Sequence, residues 1–182
     1  MDFKLDEHGF SWRASCRLPS WSGYLDCSGP YGGLVNGAKS DGTVEIVFAP
    51  EGRDSSPLED DELGLVQWLI ANEGTVSDAV KTAIFDAYPR LIEGYGYTAE
   101  EQAKFMPAVV DRGEMSSLFG LCAVNVHQTR NGAEPYLGFE FGCTWDQEHG
   151  LGVLTHGNRV IEVGGADTAI LLWMAEQDAG KT

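Results

Sequence analysis

Asp146, Glu148, His149 and His156 bring carboxylate and imidazole groups close together in one short stretch of this chain. Such groups are the usual donors of zinc, manganese and iron sites, so a bound divalent metal, or a metal-assisted hydrolase, is one reading of the WDQEHG loop. The spacing matches no established metal signature, and HExxH is absent. In the other reading Asp146 bonds its own loop backbone as an Asx turn, Gly150 supplies a positive φ, and His149 packs or hydrogen-bonds at the tip. Glu140 offers different chemistry. Flanked on its strand face by Gly138 and Gly142, it would stand in a groove free of side chains that could admit a ligand or another backbone. A carboxyl buried there could serve as general acid or base. The bland expectation is that a helix or loop packs onto the glycines while Glu140 pairs with an Arg or with backbone amides.

No catalytic residue is assigned. There is no GxSxG, and His8, His127, His149 and His156 match Cys16, Cys27, Cys122 or Cys143 in no local pattern for a nucleophile and its base. GGLVNGAK, from Gly32 to Lys39, lacks the ending and the strand-to-helix context of a phosphate loop and reads as a hairpin turn. Twelve Lys and Arg against 28 Asp and Glu give 182 residues a formal charge of -16. That excludes sequence-independent nucleic-acid binding, which needs cations to displace phosphate counterions. The acids are concentrated. Asp54, Glu59, Asp60, Asp61, Glu62, Glu73 and Asp78 lie between Arg53 and Lys81 with no base among them; Glu134, Glu140, Asp146 and Glu148 do the same between Arg130 and Arg159. These stretches could steer a basic protein partner, or could simply solvate the surface and match a helix dipole.

The elements that must position these groups can be read from periodicity. Ser11–Leu18 and Thr43–Ala49 read as strands, with the turn-rich WSGYLDCSGPYGG between them; its Trp21, Tyr24 and Tyr31 are expected to cover a core edge rather than form a binding surface. A helix is expected over Leu58–Asn72, its acids in the first turn, with a stop at Asn72-Glu73-Gly74. A second runs from a Thr75 or Ser77 cap through Tyr88, closed by Pro89. A third starts at the Thr98-Ala99-Glu100-Glu101 capping box and runs towards Val110. Leu118–His127 reads as a central strand and Thr129–Pro135 as a turn. In Tyr136–Trp145, Leu137, Phe139, Phe141, Cys143 and Trp145 share one face. Leu151–His156, the Gly157-Asn158 turn and Arg159–Val163 complete a meander, and Asp167 is expected to cap a helix over Thr168–Gln177.

The fold class is therefore α+β in one domain, 1–182. Residues 1–57 are β-rich, 58–113 helical and 116–182 a meander with a C-terminal segment, the antiparallel sheet packing against about three central helices. No apolar run reaches the roughly 18 residues of a membrane span, and MDFKLDEHGF is no secretory signal. No membrane partner and a cytoplasmic location are expected. The four widely spaced cysteines are then free thiols, although an exported protein could pair them.

At GFEFGCTWDQEHGLGVLTHGNRVIEVGGADTA the chain resembles an uncharacterised bacterial family, the DUF6985-type domain. Its pattern is an aromatic strand (Phe139–Phe141), a W-D-x-E-H-G-L-G-V turn and strand (Trp145–Val153), a short hairpin (Thr155–Arg159) and a V-G-G-A-D ending (Val163–Asp167). LIANEGTVSDAVKTAIFDAY is similar as well, so the resemblance spans roughly residues 60 to 170, and the N-terminal loop fits it poorly. Members are similar to small proteins found near bacterial contact-dependent or secreted toxins, which implies an immunity role. The combined expectation is a non-enzymatic acidic binding protein without a cofactor, an immunity protein that occludes the basic surface of a cognate toxin. Glu59, Asp60, Asp61, Glu62, Glu140, Asp146, Glu148 and His149 are the candidate binding residues. The alternative is a metal module on Asp146, Glu148, His149 and His156.

Overall fold

Alternation of apolar and polar side chains in the two N-terminal strands carries through to the structure, a computed structural model that describes residues 1–28 and 33–180. Strands β1 (Lys4–Leu5), β2 (Trp12–Arg17) and β3 (Thr43–Phe48) are followed by helices α1 (Asp60–Tyr95) and α2 (Ala99–Phe105). Strands β4 (Phe119–Asn131), β5 (Glu134–Cys143), β6 (Leu151–His156) and β7 (Arg159–Gly164) then lead to helix α3 (Leu172–Asp178). The seven strands form one sheet in chain order. Every neighbouring pair is antiparallel except β3 and β4, which are parallel. The mixed pair follows from α1, because a helical crossover lets a strand re-enter beside its predecessor in the same direction. The fold class is thus the expected α+β, with a sheet that is mostly antiparallel.

The helical region differs from its expected division. One helix runs from Asp60 to Tyr95, through both Gly74 and Pro89. Its buried stripe, Leu65, Val66, Leu69, Val76, Val80, Ile84, Ala87 and Tyr88, keeps helical spacing across the expected stop. Glu73 occupies a place in that stripe, and its carboxylate accepts bonds from the Ser20 N–H and hydroxyl at 2.9 and 3.1 Å. A helix-interior glycine costs about 1 kcal/mol and a proline about 3. Burying each large apolar side chain contributes about 1.5–3 kcal/mol, so tertiary packing outweighs both breakers. Gly96, at φ 61°, closes the helix.

The Thr98 capping box forms as expected, but α2 ends at Phe105 rather than near Val110. The expected turn at Thr129–Pro135 is mostly strand, since β4 and β5 stay paired to Asn131–Glu134. After β7 a 3-10 turn, Ala166–Ala169, precedes α3, and Asp167 caps neither: its carbonyl, not its side chain, accepts the Ile170 N–H at 2.9 Å.

The two faces of the sheet are built differently. The inner face, towards α1, carries Ile46, Phe48, Phe119, Val124, Val126, Leu137, Phe139, Phe141 and Val153, all buried against the helix stripe. Trp21 and Tyr24 join this core, with the Lys81 ammonium 4.7 and 4.9 Å from their rings. They cover the core as expected; Tyr31 lies outside the described residues. Val35 and Ala38 close the turn expected in GGLVNGAK, with Gly33 its first described residue. The outer face holds glycines where other backbone comes down on it. A Cβ at Gly138 would overlap the Ala169 carbonyl, and one at Gly120 the Leu25 carbonyl.

Candidate functional site

The Ala166–Ala169 turn and the Leu25–Ser28 segment each cover part of the outer face, and a cleft of about 750 Å³ opens over the strands between them. Strand register builds its floor. Ser15, Glu45, Ala123 and Glu140 form one rung across β2 to β5, and Arg13, Val47, Asn125 and Gly138 the next. Glu45 and Glu140 therefore stand two strands apart, roughly 10 Å at the usual strand spacing, with only the Ala123 methyl between them. Arg13 reaches the Glu45 carboxylate and also lies 3.7 Å from Asp6. No described residue forms an ion pair with Glu140. Burial pushes the Glu140 carboxyl above the usual glutamate range; Asn125 and, at longer range, Arg13 favour its ionised form, while Glu45 opposes it.

Asn125 is only 2% exposed, and its Nδ2 has no hydrogen-bond partner. It lies close enough to Glu140 to affect its titration yet makes no bond of acceptable geometry, leaving an unsatisfied donor in the cleft floor. One wall is the disulfide Cys27–Cys122, which joins the covering segment to β4. The expectation of four free thiols fails for this pair, because the fold brings together two cysteines 95 residues apart. Cys16 and Cys143 are free thiols. The other wall includes Pro50 and Ile170.

The remaining candidates lie elsewhere. Glu62 accepts the Glu59 N–H at 2.8 Å and holds Arg53 through two bonds of 2.9 and 2.8 Å. Asp61 pairs with Arg130 at 2.8 Å, and Asp60 is exposed. At the far end of α1, the Tyr95 hydroxyl donates to Asp146 Oδ2 at 2.9 Å. At 1.5 Å per residue, about 50 Å of helix separates Glu62 from Tyr95, so Asp146 lies far from the Glu59–Glu62 cluster, whereas Glu134 of the second stretch sits at the end of β4 and β5 where Arg130 pairs with Asp61 of the first. In the loop itself Asp146 Oδ1 accepts the His149 N–H at 2.9 Å and faces His149 Nδ1 at 3.1 Å. Burial pushes the Asp146 carboxyl up, but the bonds from His149 and Tyr95 prevail and hold it below the ordinary range. Gly150 has φ +65°, as the Asx-turn reading expects. Glu148 is exposed. His156 stacks on Tyr136 at 4.4 Å and bonds the Asn131 carbonyl at 2.8 Å, apart from the Asp146–His149 pair. No group of three or more His, Cys, Asp or Glu among the described residues is arranged to hold a metal ion.

A family model described as a domain of unknown function, DUF6985, matches residues 30–171. The chain belongs to that family. No curated protein and no solved structure matches it. The DUF6985 match is wider than the resemblance at residues 60 to 170: it adds β3, and with it Glu45, to the Asn125, Glu140 and Ile170 of the cleft that both contain. Arg13, Ser15 and Cys27 lie before it. Trp145–Gly150 builds the Asp146 turn, and Val163–Asp167 leads into Ala169, whose carbonyl covers Gly138. Sequence reasoning reached Glu140 and its covered glycine face. It missed that Glu140 has no counter-ion, and missed Asn125, whose visible signal was an amide inside the otherwise apolar run from Phe119 to Val126. Among the described residues no helix is long and apolar enough to cross a membrane.

Proposed function

We propose that this protein is a non-enzymatic binding protein for a basic protein partner and, in the setting implied by the family resemblance, an immunity protein that neutralises a cognate toxin. The supporting observation is Glu140, a mostly buried carboxylate without a counter-ion in an open cleft of a chain with net charge -16. The distance between the Glu59–Glu62 cluster and the Asp146–Glu148 loop divides their role from that of the cleft. Asp60 and Glu148, exposed and remote from each other, act in steering, since long-range charge raises association rates and is screened by salt. The cleft is the docking point. The proposed compartment is the cytoplasm, although the Cys27–Cys122 bond is the pairing expected of an exported protein.

Co-expression with the toxin encoded beside the gene tests this reading: the expected outcome is protection and a stable complex, both lost in Glu140→Lys. Neither protection nor a complex would overturn it. The divalent-metal alternative rests on the Asp146–His149 contact and predicts stoichiometric metal in protein purified without a tag, lost in His149→Ala. Finding no metal and no thermal shift with zinc, manganese or calcium removes it.

A further inference from the structure

We infer that the outer-face cleft is a receptor for a single basic residue of the partner, its ammonium or guanidinium group set on Glu140 and its main-chain carbonyl on Asn125. This rests on the basic-partner reading and names what the cleft recognises.

Charge selects the first half of the ligand. Of the two carboxylates on the Ser15–Glu45–Ala123–Glu140 rung, Glu45 is already neutralised by Arg13 and Glu140 is not; Asp26, on the wall, also has no ion pair, but its carboxylate accepts the Ser28 N–H and hydroxyl, each at 3.0 Å. A carboxylate removed from water without a partner is costly, and a cation arriving over Ala123 would supply that partner with little displacement of protein atoms. The second half comes from Asn125. Asn125 lines the same cleft, and its buried Nδ2 interacts with Glu140 but completes no hydrogen bond of acceptable geometry, so it is open to a further acceptor and not to another cation. A carbonyl beside a basic side chain provides this; a bare amine does not. Two carboxylates about 10 Å apart with Arg13 at the rim also disfavour an anionic ligand near Glu140. The volume of about 750 Å³ lies inside the roughly 300–1,000 Å³ typical of ligand sites, and Arg13, Ser15 and Thr43 leave the rim open to a side chain carried on a larger surface.

The probe is acetyl-Gly-Arg-Gly-amide, with the citrulline peptide and n-butylguanidine as comparisons, titrated into the whole protein and followed by NMR. The Arg peptide is expected to shift the Asn125 side-chain amide and the Glu140 resonances saturably. The citrulline peptide should bind at least tenfold more weakly, and Glu140→Gln should weaken the Arg peptide by at least tenfold. Ser15→Trp, at an exposed rim position, keeps the charge and should block entry, which covers the case in which Glu140→Gln alters folding. n-Butylguanidine carries the single cation without the carbonyl; if it binds as tightly as the peptide and leaves the Asn125 amide unshifted, a free small cation and not a protein residue is the occupant and the inference is overturned. Equal binding of Arg and citrulline peptides, or no binding of either, also overturns it. Failure of co-expression to protect would leave these shifts in place, so the two readings fail separately.

Discussion

The two faces of the sheet are covered by different means. On the inner face one 36-residue helix lays a continuous apolar stripe over aromatic and branched side chains, and cohesion comes from side-chain volume. On the outer face short segments lay backbone directly on glycines at Gly120 and Gly138, tied down by a disulfide and by single polar contacts such as His127 Nε2 to the Ala169 carbonyl at 3.1 Å. Covering by bulk fills the face with side chains. Covering by two separate backbone segments leaves the space between them, and that space is the cleft. Polar side chains such as Asn125 and Glu140 are tolerated there because no helix presses on them.

Four measurements can break or sharpen this contrast. Reduction of Cys27–Cys122, or Cys27→Ser, should have the largest effect, because a cross-link closing a loop of this size stabilises by about 4–5 kcal/mol on chain-entropy grounds. Thermal unfolding with and without reductant should show it, and an unchanged Tm would remove the disulfide as the tie of the outer cover. Trp145→Ala tests the inner side. Trp145 is buried with its ring 5.7 Å from that of Tyr88, so the loss should be about 3–5 kcal/mol and cooperative across the whole fold. Retained stability would mean that the WDQEHG turn does not organise the meander.

The third measurement follows pH. Burial pulls the His127 imidazole down to about 4, against an ordinary value of 6.5. Between those values the unfolded chain takes up a proton that the native state refuses, so stability falls as pH drops through this window. The full effect is on the order of 3 kcal/mol. Denaturant titrations at successive pH values should show the slope, and His127→Gln, which does not titrate, should flatten it. The smallest effect concerns Glu140. Its raised carboxyl binds a proton more tightly when folded, so its penalty grows as pH rises through the folded value and persists at neutral pH. Glu140→Gln should therefore raise Tm slightly at neutral pH, and not at a pH below the ordinary glutamate range. A lowered Tm at neutral pH would show that Glu140 is paired after all.

Much of the sheet was legible because period-two alternation survives translation into structure: Leu137, Phe139, Phe141 and Cys143 all face the core as their spacing requires. Helix limits were less legible. Gly74 and Pro89 are breakers by local propensity, yet the packed stripe on both sides of them keeps α1 continuous. The Asp146 turn was readable, since its bonds are local. Where the acids of the two stretches lie relative to one another was not, because it depends on the length of α1 and on the pairing of β4 with β5.

By itself, then, the sequence determined the α+β class, the strand faces, the Asx turn at Asp146 and the glycine-flanked position of Glu140, all set by periodicity or by contacts a few residues apart. Only the tertiary structure decided that Cys27 bonds Cys122, that Arg13 goes to Glu45, and that Glu140 and Asn125 share a cleft without partners. Each of these depends on register and crossover between strands distant in the chain, and no local pattern of residues encodes a neighbour that distant segments bring into place.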